Sequence, residues 1–175
     1  MSKNSVDVLN RAIIEAARSD LEIFTQLAFA ELKGEPFLDN WHIGAVARKL
    51  ERLESGDIKR LIISMPPRTM KSDMSSIFYP AWVLGRDPTQ RIICVSYGQA
   101  LSNDFASAMR NLMRSEVYAQ VFPRTRLDPR RSSVEEMATT AGGFRISTSI
   151  GGTLTGRGAD QIIIDDPLKA SDADS

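Results

Sequence analysis

Residues 60–72 read RLIISMPPRTMKS, and the choice of fold turns on them. Leu61-Ile62-Ile63 is a short apolar run of the kind found in strands buried on both faces, so a strand is expected over 60–64. Met65 to Met70 contains Pro66-Pro67 and reads as a loop. Lys71 to Leu84 follows as a helix, bent or ended near Pro80. Strand, loop, helix is the setting of a phosphate-binding loop. That motif, G-x-x-x-x-G-K-[ST], needs backbone N–H groups at a helix N-terminus, a lysine for the β- and γ-phosphates and a hydroxyl for Mg²⁺. Lys71 and Ser72 meet the last two needs. The glycine positions hold Met65 and Met70, and Met70 carries a Cβ where glycine lets the backbone approach closely. Alone, the stretch reads equally as a solvent-facing Lys-Ser pair at a helix start.

Working outward, residues 5–32 have helical spacing in two pieces, with Val6, Leu9, Ile13, Ile14 and Ala17 on one face and Leu21, Phe24, Leu27 and Ala28 continuing it. Ser19 followed by Glu22 predicts a capping box between the pieces. Asn40 is placed to cap a helix over 41–54 that turns Trp41, Val46, Leu50 and Leu53 inward. Residues 91–96 read as a second buried strand, 101–114 as a helix, and 123–131 as a basic loop. A hairpin is expected over 134–139 and 144–150, turning at Ala141-Gly142-Gly143. Apolar strands alternating with helices give an α/β layered fold, whose functional loops lie at the carboxyl ends of the strands.

The last such strand is Gln161-Ile162-Ile163-Ile164-Asp165, followed by Asp166-Pro167. A β-branched run ending in paired carboxylates suits a metal-binding aspartate (Asp165) and a residue that orients an attacking water (Asp166). The bland alternative is an Asp-Asp-Pro turn. Between the two motifs lies GGTLTGRG at 151–158, which frames Arg157 with glycines. Arg157 is either a solvated loop residue or an arginine that reaches a γ-phosphate, in its own subunit or the next.

Taken together, MPPRTMKS at 65–72, VSYGQALSNDF at 95–105 and GGTLTGRGADQIIIDDP at 151–167 resemble the large terminase subunit of tailed bacteriophages. The resemblance covers about residues 20–170, and PFLDNWH at 36–42 matches the aromatic segment that precedes the phosphate loop in that family. It implies an N-terminal ATPase of the additional-strand (ASCE) P-loop class that drives double-stranded DNA into procapsids. It implies an N-terminal helical segment over 1–57 and an ATPase core over 58–175. ATP would rest on Pro67, Arg68, Thr69, Met70, Lys71 and Ser72, with Trp41 on the adenine side. Ser72 and Asp165 would organise Mg²⁺, and Asp166, Lys71, Arg157 and Arg68 would be catalytic. Implied partners are double-stranded DNA, the portal protein and the small terminase subunit, with a homo-oligomeric ring in the assembled motor. The setting implied is the cytoplasm of a bacterial host.

The family's coupling strand and nuclease lie beyond these motifs and have no counterpart in the 175 residues. No DNA cleavage is therefore expected, and the sheet is expected to be incomplete at its C-terminal side. An alternative is a truncated prophage remnant that binds nucleotide or a partner without turnover. A helicase-type motor shares the same strand-end motifs.

Composition bounds these readings. Apolar residues are 42% and charged residues 25%, which suits a packed domain rather than a disordered chain. Lys and Arg (22) balance Asp and Glu (22), so DNA would have to be held by a local patch, not by bulk charge. Arg124, Arg126, Arg130 and Arg131 are such a patch, or else a solvated loop. Cys94 is the lone cysteine, which excludes an intrachain disulfide and a Cys-rich zinc site, and it reads as a small buried hydrophobe. His42 is the lone histidine. No signal peptide or membrane-spanning run is apparent.

Overall fold

Ile92, Ile93, Cys94 and Val95 are all buried and form the middle of strand β1 (Arg91–Ser96), around which the rest is arranged. The structure is a computed structural model describing residues 3–152 and 156–168. Three helices, α1 (Lys3–Ala17), α2 (Leu21–Lys33) and α3 (Trp41–Glu54), come first. A π-helical segment (Asp73–Phe78) then runs directly into α4 (Tyr79–Arg86). After β1 come α5 (Gln99–Arg114), α6 (Glu116–Val121), β2 (Leu127–Ser132), β3 (Glu136–Thr139), β4 (Phe144–Ser149) and β5 (Gln161–Asp165). The five strands make one mixed sheet in the order β2-β3-β4-β1-β5. The strands β4, β1 and β5 run parallel, while β2 and β3 join antiparallel as a hairpin extension.

The alternation of side chains along a strand divides the core in two. Ile92 and Cys94 of β1, with Met137 of β3 and Ile163 of β5, face the helices and join the main core, which includes Phe24, Leu50, Phe78, Trp82, Met109 and Tyr118. Ile93, Val95 and Ile146 point the other way and form a small cluster with Phe144 and Ala159. The helices before residue 57 and those after it contribute to the same main core. Trp82 is fully buried there, and its indole N–H donates to the Ala17 carbonyl at 3.0 Å, tying α4 to the end of α1.

Local chemistry corrects several sequence expectations. The cap of α2 is Asp20, whose carboxylate accepts from the Ile23 N–H at 2.9 Å, rather than Ser19. An aspartate one residue later offers a charged acceptor to the same free N–H groups. Leu9 and Ile13 of α1 are exposed, and that helix meets the core at Ile14 and Ala17. Gly34 closes α2 in the left-handed conformation (φ 67°) that a glycine adopts without strain. The expected basic loop is partly strand: Leu127–Ser132 forms the outer strand β2, where Pro129 costs no ladder bond because an edge strand has an unpaired side.

The largest departure is at 60–64. This stretch forms no strand. Leu61, Ile63 and Met65 pack on the core while Ile62 is 94% exposed, so the segment is a one-faced run without a strand partner among the described residues. It borders a groove of about 440 Å³ whose walls are Leu61, Ile62 and Ile63 on one side and Ile162, Ile163 and Ile164 on the other. Ile162 and Ile164 are exposed, and β5 is an outer strand among the described residues. An exposed apolar edge of this kind templates pairing with another chain. Replacing Ile162 and Ile164 together by lysine is expected to leave stability within about 0.5 kcal/mol. It should also reduce concentration-dependent association in sedimentation velocity runs.

Candidate functional site

The loop from Met65 to Met70 is shaped by its own backbone. Thr69 Oγ1 donates to the Pro66 carbonyl at 2.7 Å and closes the turn. Arg68 (φ 63°) and Met70 (φ 62°) both take the left-handed conformation, which costs a non-glycine residue about 1–2 kcal/mol. Left-handed residues set among ordinary ones turn successive N–H groups to one side, the construction of an anion-binding nest. Strain of this sort clusters at ligand sites. Met70 thus reaches the backbone shape that a glycine would supply, while its half-buried side chain packs on the core. The Met70 carbonyl then accepts from the Met74 N–H at 2.9 Å as the helix begins.

Lys71 stands in the first turn of that helix and crosses to the end of β5. Its ammonium donates to the Asp166 carboxylate and lies 3.7 Å from Asp165 Oδ1. The hydrogen bond to Asp166 is the main reason its pKa stands above the usual lysine value, against the opposing effect of partial burial. Asp165 is 4% exposed and its Oδ2 accepts from Ser76 Oγ at 3.3 Å. Asp166 is exposed, takes a left-handed backbone (φ 45°), and its carbonyl accepts from the Tyr97 N–H at 3.2 Å, which joins the ends of β5 and β1. The lysine and the carboxylate pair, 95 positions apart for Lys71 and Asp166, are therefore brought together as their motifs suggested.

Sequence reasoning missed Ser76. It singled out Ser72, which is half-buried and lines the loop cavity, but the hydroxyl on Asp165 belongs to the serine one helical turn further on. The i, i+4 spacing of Ser72 and Ser76 was the available signal, since it puts both on one helix face.

Two cavities meet at Met65, Pro66 and Thr69. One, of about 400 Å³, is lined by the loop with Pro67, Arg68, Lys71, Ser72 and Asp166. The other, of about 540 Å³, is largely apolar and is lined by Trp41, His42, Val46, Lys49 and Ile62. Trp41 is 83% exposed, so it turns outward into this groove instead of joining the core as its helix pattern predicted. His42 Nε2 is 3.3 Å from the Thr69 carbonyl and links α3 to the loop.

Arg157 lies elsewhere. Its Nη1 is 2.9 Å from Glu136 Oε2, and Glu136 also binds Arg131. The Arg131 hydrogen bond is the chief cause holding the Glu136 carboxyl below its usual range. Glu136 is on β3, separated from β5 by β4 and β1, so this arginine cluster is distinct from the Lys71 cluster. Residues 153–155, in the same glycine-rich stretch, lie outside the described residues. Arg124, Arg126, Arg130 and Arg131 are exposed, with Arg130 paired to Asp128. Cys94 is buried, as expected, and burial pushes its thiol up more than the neighbouring Arg145 pulls it down.

The donor set bears on the kind of cation that could be held there. Among the described residues no group of three or more His, Cys, Asp or Glu side chains forms a cage. Two adjacent carboxylates beside a phosphate-sized nest suit Mg²⁺, which takes one or two protein carboxylates and draws its remaining ligands from substrate phosphates and water. No helix among the described residues is long and apolar enough to cross a membrane. In comparisons with known proteins, no family model matches the chain and no curated protein matches its sequence.

Proposed function

We propose that this chain is a P-loop ATPase domain that binds ATP-Mg²⁺ on the loop 66–72. The observation that carries the reading is Lys71, which leaves a strained, nest-like loop to reach the Asp165–Asp166 pair. In this reading Lys71 releases the carboxylates and takes the β- and γ-phosphates. Arg68, exposed on the loop cavity, adds positive charge beside them. Asp165, with the hydroxyl of Ser72, holds Mg²⁺, whose chemistry is to neutralise charge on the phosphate oxygens. Asp166 orients water for in-line attack on the γ-phosphorus. The adjoining apolar groove at Trp41 suits the base. Arg157, paired to Glu136 away from Lys71, would reach a γ-phosphate only after leaving that pair, in its own subunit or the next.

Within this reading the resemblance adds the larger role: the motor of a phage terminase large subunit, packing double-stranded DNA in the host cytoplasm. It would work as a ring beside the portal and the small subunit. The exposed arginines at 124–131 are the local patch that DNA phosphates would need. The second reading, nucleotide binding without turnover, is favoured by the direct pairing of Lys71 with Asp166, which occupies the carboxylate meant to handle water.

Calorimetric titration with ATP-Mg²⁺ alongside steady-state phosphate release separates the readings. Saturable binding, with release that falls in Asp166→Ala, is the expected result. Tight binding without release supports the second reading. Equal release by both proteins, with no binding by either, sinks the proposal.

A further inference from the structure

Arg145 is a charged residue in the interior. It lies on β4, 1% exposed, on the sheet face that packs against the helices, since it sits in register with Ile92 and Met137. It forms no ion pair among the described residues. One Nη donates to Ser147 Oγ, the other donates to the Ser76 carbonyl at 3.3 Å, and Nε has no partner. Burying an arginine without a counterion is costly, so a purely packing role would be better served by a methionine.

The Ser76 carbonyl lies in an irregular stretch of helix. In a regular helix it would accept from the N–H four residues later, and residue 80 is proline. The helix does not break. It widens over Asp73–Phe78 to π geometry, in which Tyr79 N–H reaches back to the Met74 carbonyl. A carbonyl oxygen has two lone pairs, and one of those on Ser76 accepts from Arg145. Ser76 is then held at both ends, its carbonyl by Arg145 and its hydroxyl on Asp165 Oδ2. All four groups are buried.

We propose that Arg145 is a positioning residue for the candidate cation site: by holding the π turn through the Ser76 carbonyl, it keeps the Ser76 hydroxyl on Asp165 and so fixes the direction of that carboxylate. The proposal rests on the reading that Asp165 holds a divalent cation beside ATP. It adds two residues, Arg145 and Ser76, that the motif does not contain. Partners of ligating groups typically carry much of a metal site's affinity although they never touch the metal.

The probe is Mn²⁺ titrated into the full chain with ATP present and followed by the electron paramagnetic resonance signal of free Mn²⁺. Thermal melts establish that each variant is folded at the temperature used. Arg145→Met and Ser76→Ala are each expected to weaken Mn²⁺ binding about tenfold. The double variant should lose no more than the worse single one, because both act through one chain of contacts. If Arg145→Met does not fold, Arg145→Lys, which keeps the charge but cannot span both partners, should show a smaller loss of the same kind. Unchanged Mn²⁺ affinity in the Arg145 variants, or fully additive losses with Ser76→Ala, overturns the proposal while leaving the ATPase reading intact. If the unaltered chain takes up no Mn²⁺ with ATP, the reading of the site fails and this inference goes with it.

Discussion

Lys71→Ala is expected to weaken ATP-Mg²⁺ binding by about 10–100-fold, the weight of a charge-assisted bond to phosphate, and to slow hydrolysis by about 10²–10³-fold. The less obvious expectation is opposite in sign. Without nucleotide, the lysine ammonium is bound to Asp166 and lies 3.7 Å from Asp165, so it competes with any cation for both carboxylates. Removing it should therefore strengthen the binding of Mn²⁺ alone. The same substitution leaves a nearly buried Asp165 with Ser76 as its partner. Its cost in cation-free buffer is about 1–2 kcal/mol, smaller than for a fully buried pair because Asp166 is half-exposed and solvent screens it. Added Mn²⁺ should return part of that loss by mass action. The pH dependence has a definite sign. The Lys71 pKa is raised above the reference value of 10.5, so its contribution is complete below that pH and disappears as pH rises through the raised value. The stability gap between the two proteins should hold from neutral pH to about 10 and narrow above it. Calorimetric titration and melts against pH measure all of this. A variant that binds Mn²⁺ no better than the parent would show that Lys71 does not guard the carboxylates.

The ends of the strands were more legible in the sequence than the strands themselves. Lys71 and the Asp165–Asp166 pair announce themselves by residue type, and each needs only a neighbouring element to hold it in place. The run at 60–64 shows the limit. Its composition is that of a buried strand, but a strand also requires a backbone partner, and the groove beside β5 separates the two. Apolar content cannot report on pairing. Trp41 misled for a related reason. Its position in the helix repeat suits the core, but at the first turn of α3 it turns outward and lines a groove instead of joining a packed layer. The spacing from Ser72 put Ser76 on the same helix face, but its pairing with Arg145 and Asp165 was illegible because those contacts span 69 and 89 positions. Pro80 was visible, but it was read as a bend or an end. The structure shows a third response to a helical proline: a π turn just before it, in which the Ser76 carbonyl accepts from the distant Arg145.

Asp166 raises a question that backbone geometry answers. A glutamate would extend one methylene further than the aspartate. Here the residue has φ 45°, a region where Asp and Asn are tolerated because their short polar side chains bond locally, and where a longer side chain is strained. Asp166→Glu is therefore expected to lower stability by about 1 kcal/mol, despite keeping the charge and the reach to Lys71. Asp166→Asn should keep the left-handed backbone at little cost while removing the charge. Its expected signature is ATP binding close to that of the parent, with phosphate release slowed by about 10²–10⁴-fold, the usual weight of a positioned proton acceptor. The two variants thus separate what the backbone needs from what the chemistry needs. Melts and phosphate-release assays on the same preparations read both. A glutamate variant as stable as the parent would remove the backbone explanation for the aspartate. An asparagine variant that hydrolyses ATP at the parent rate would take Asp166 out of the reaction and leave it as the partner that holds Lys71 in the ligand-free chain.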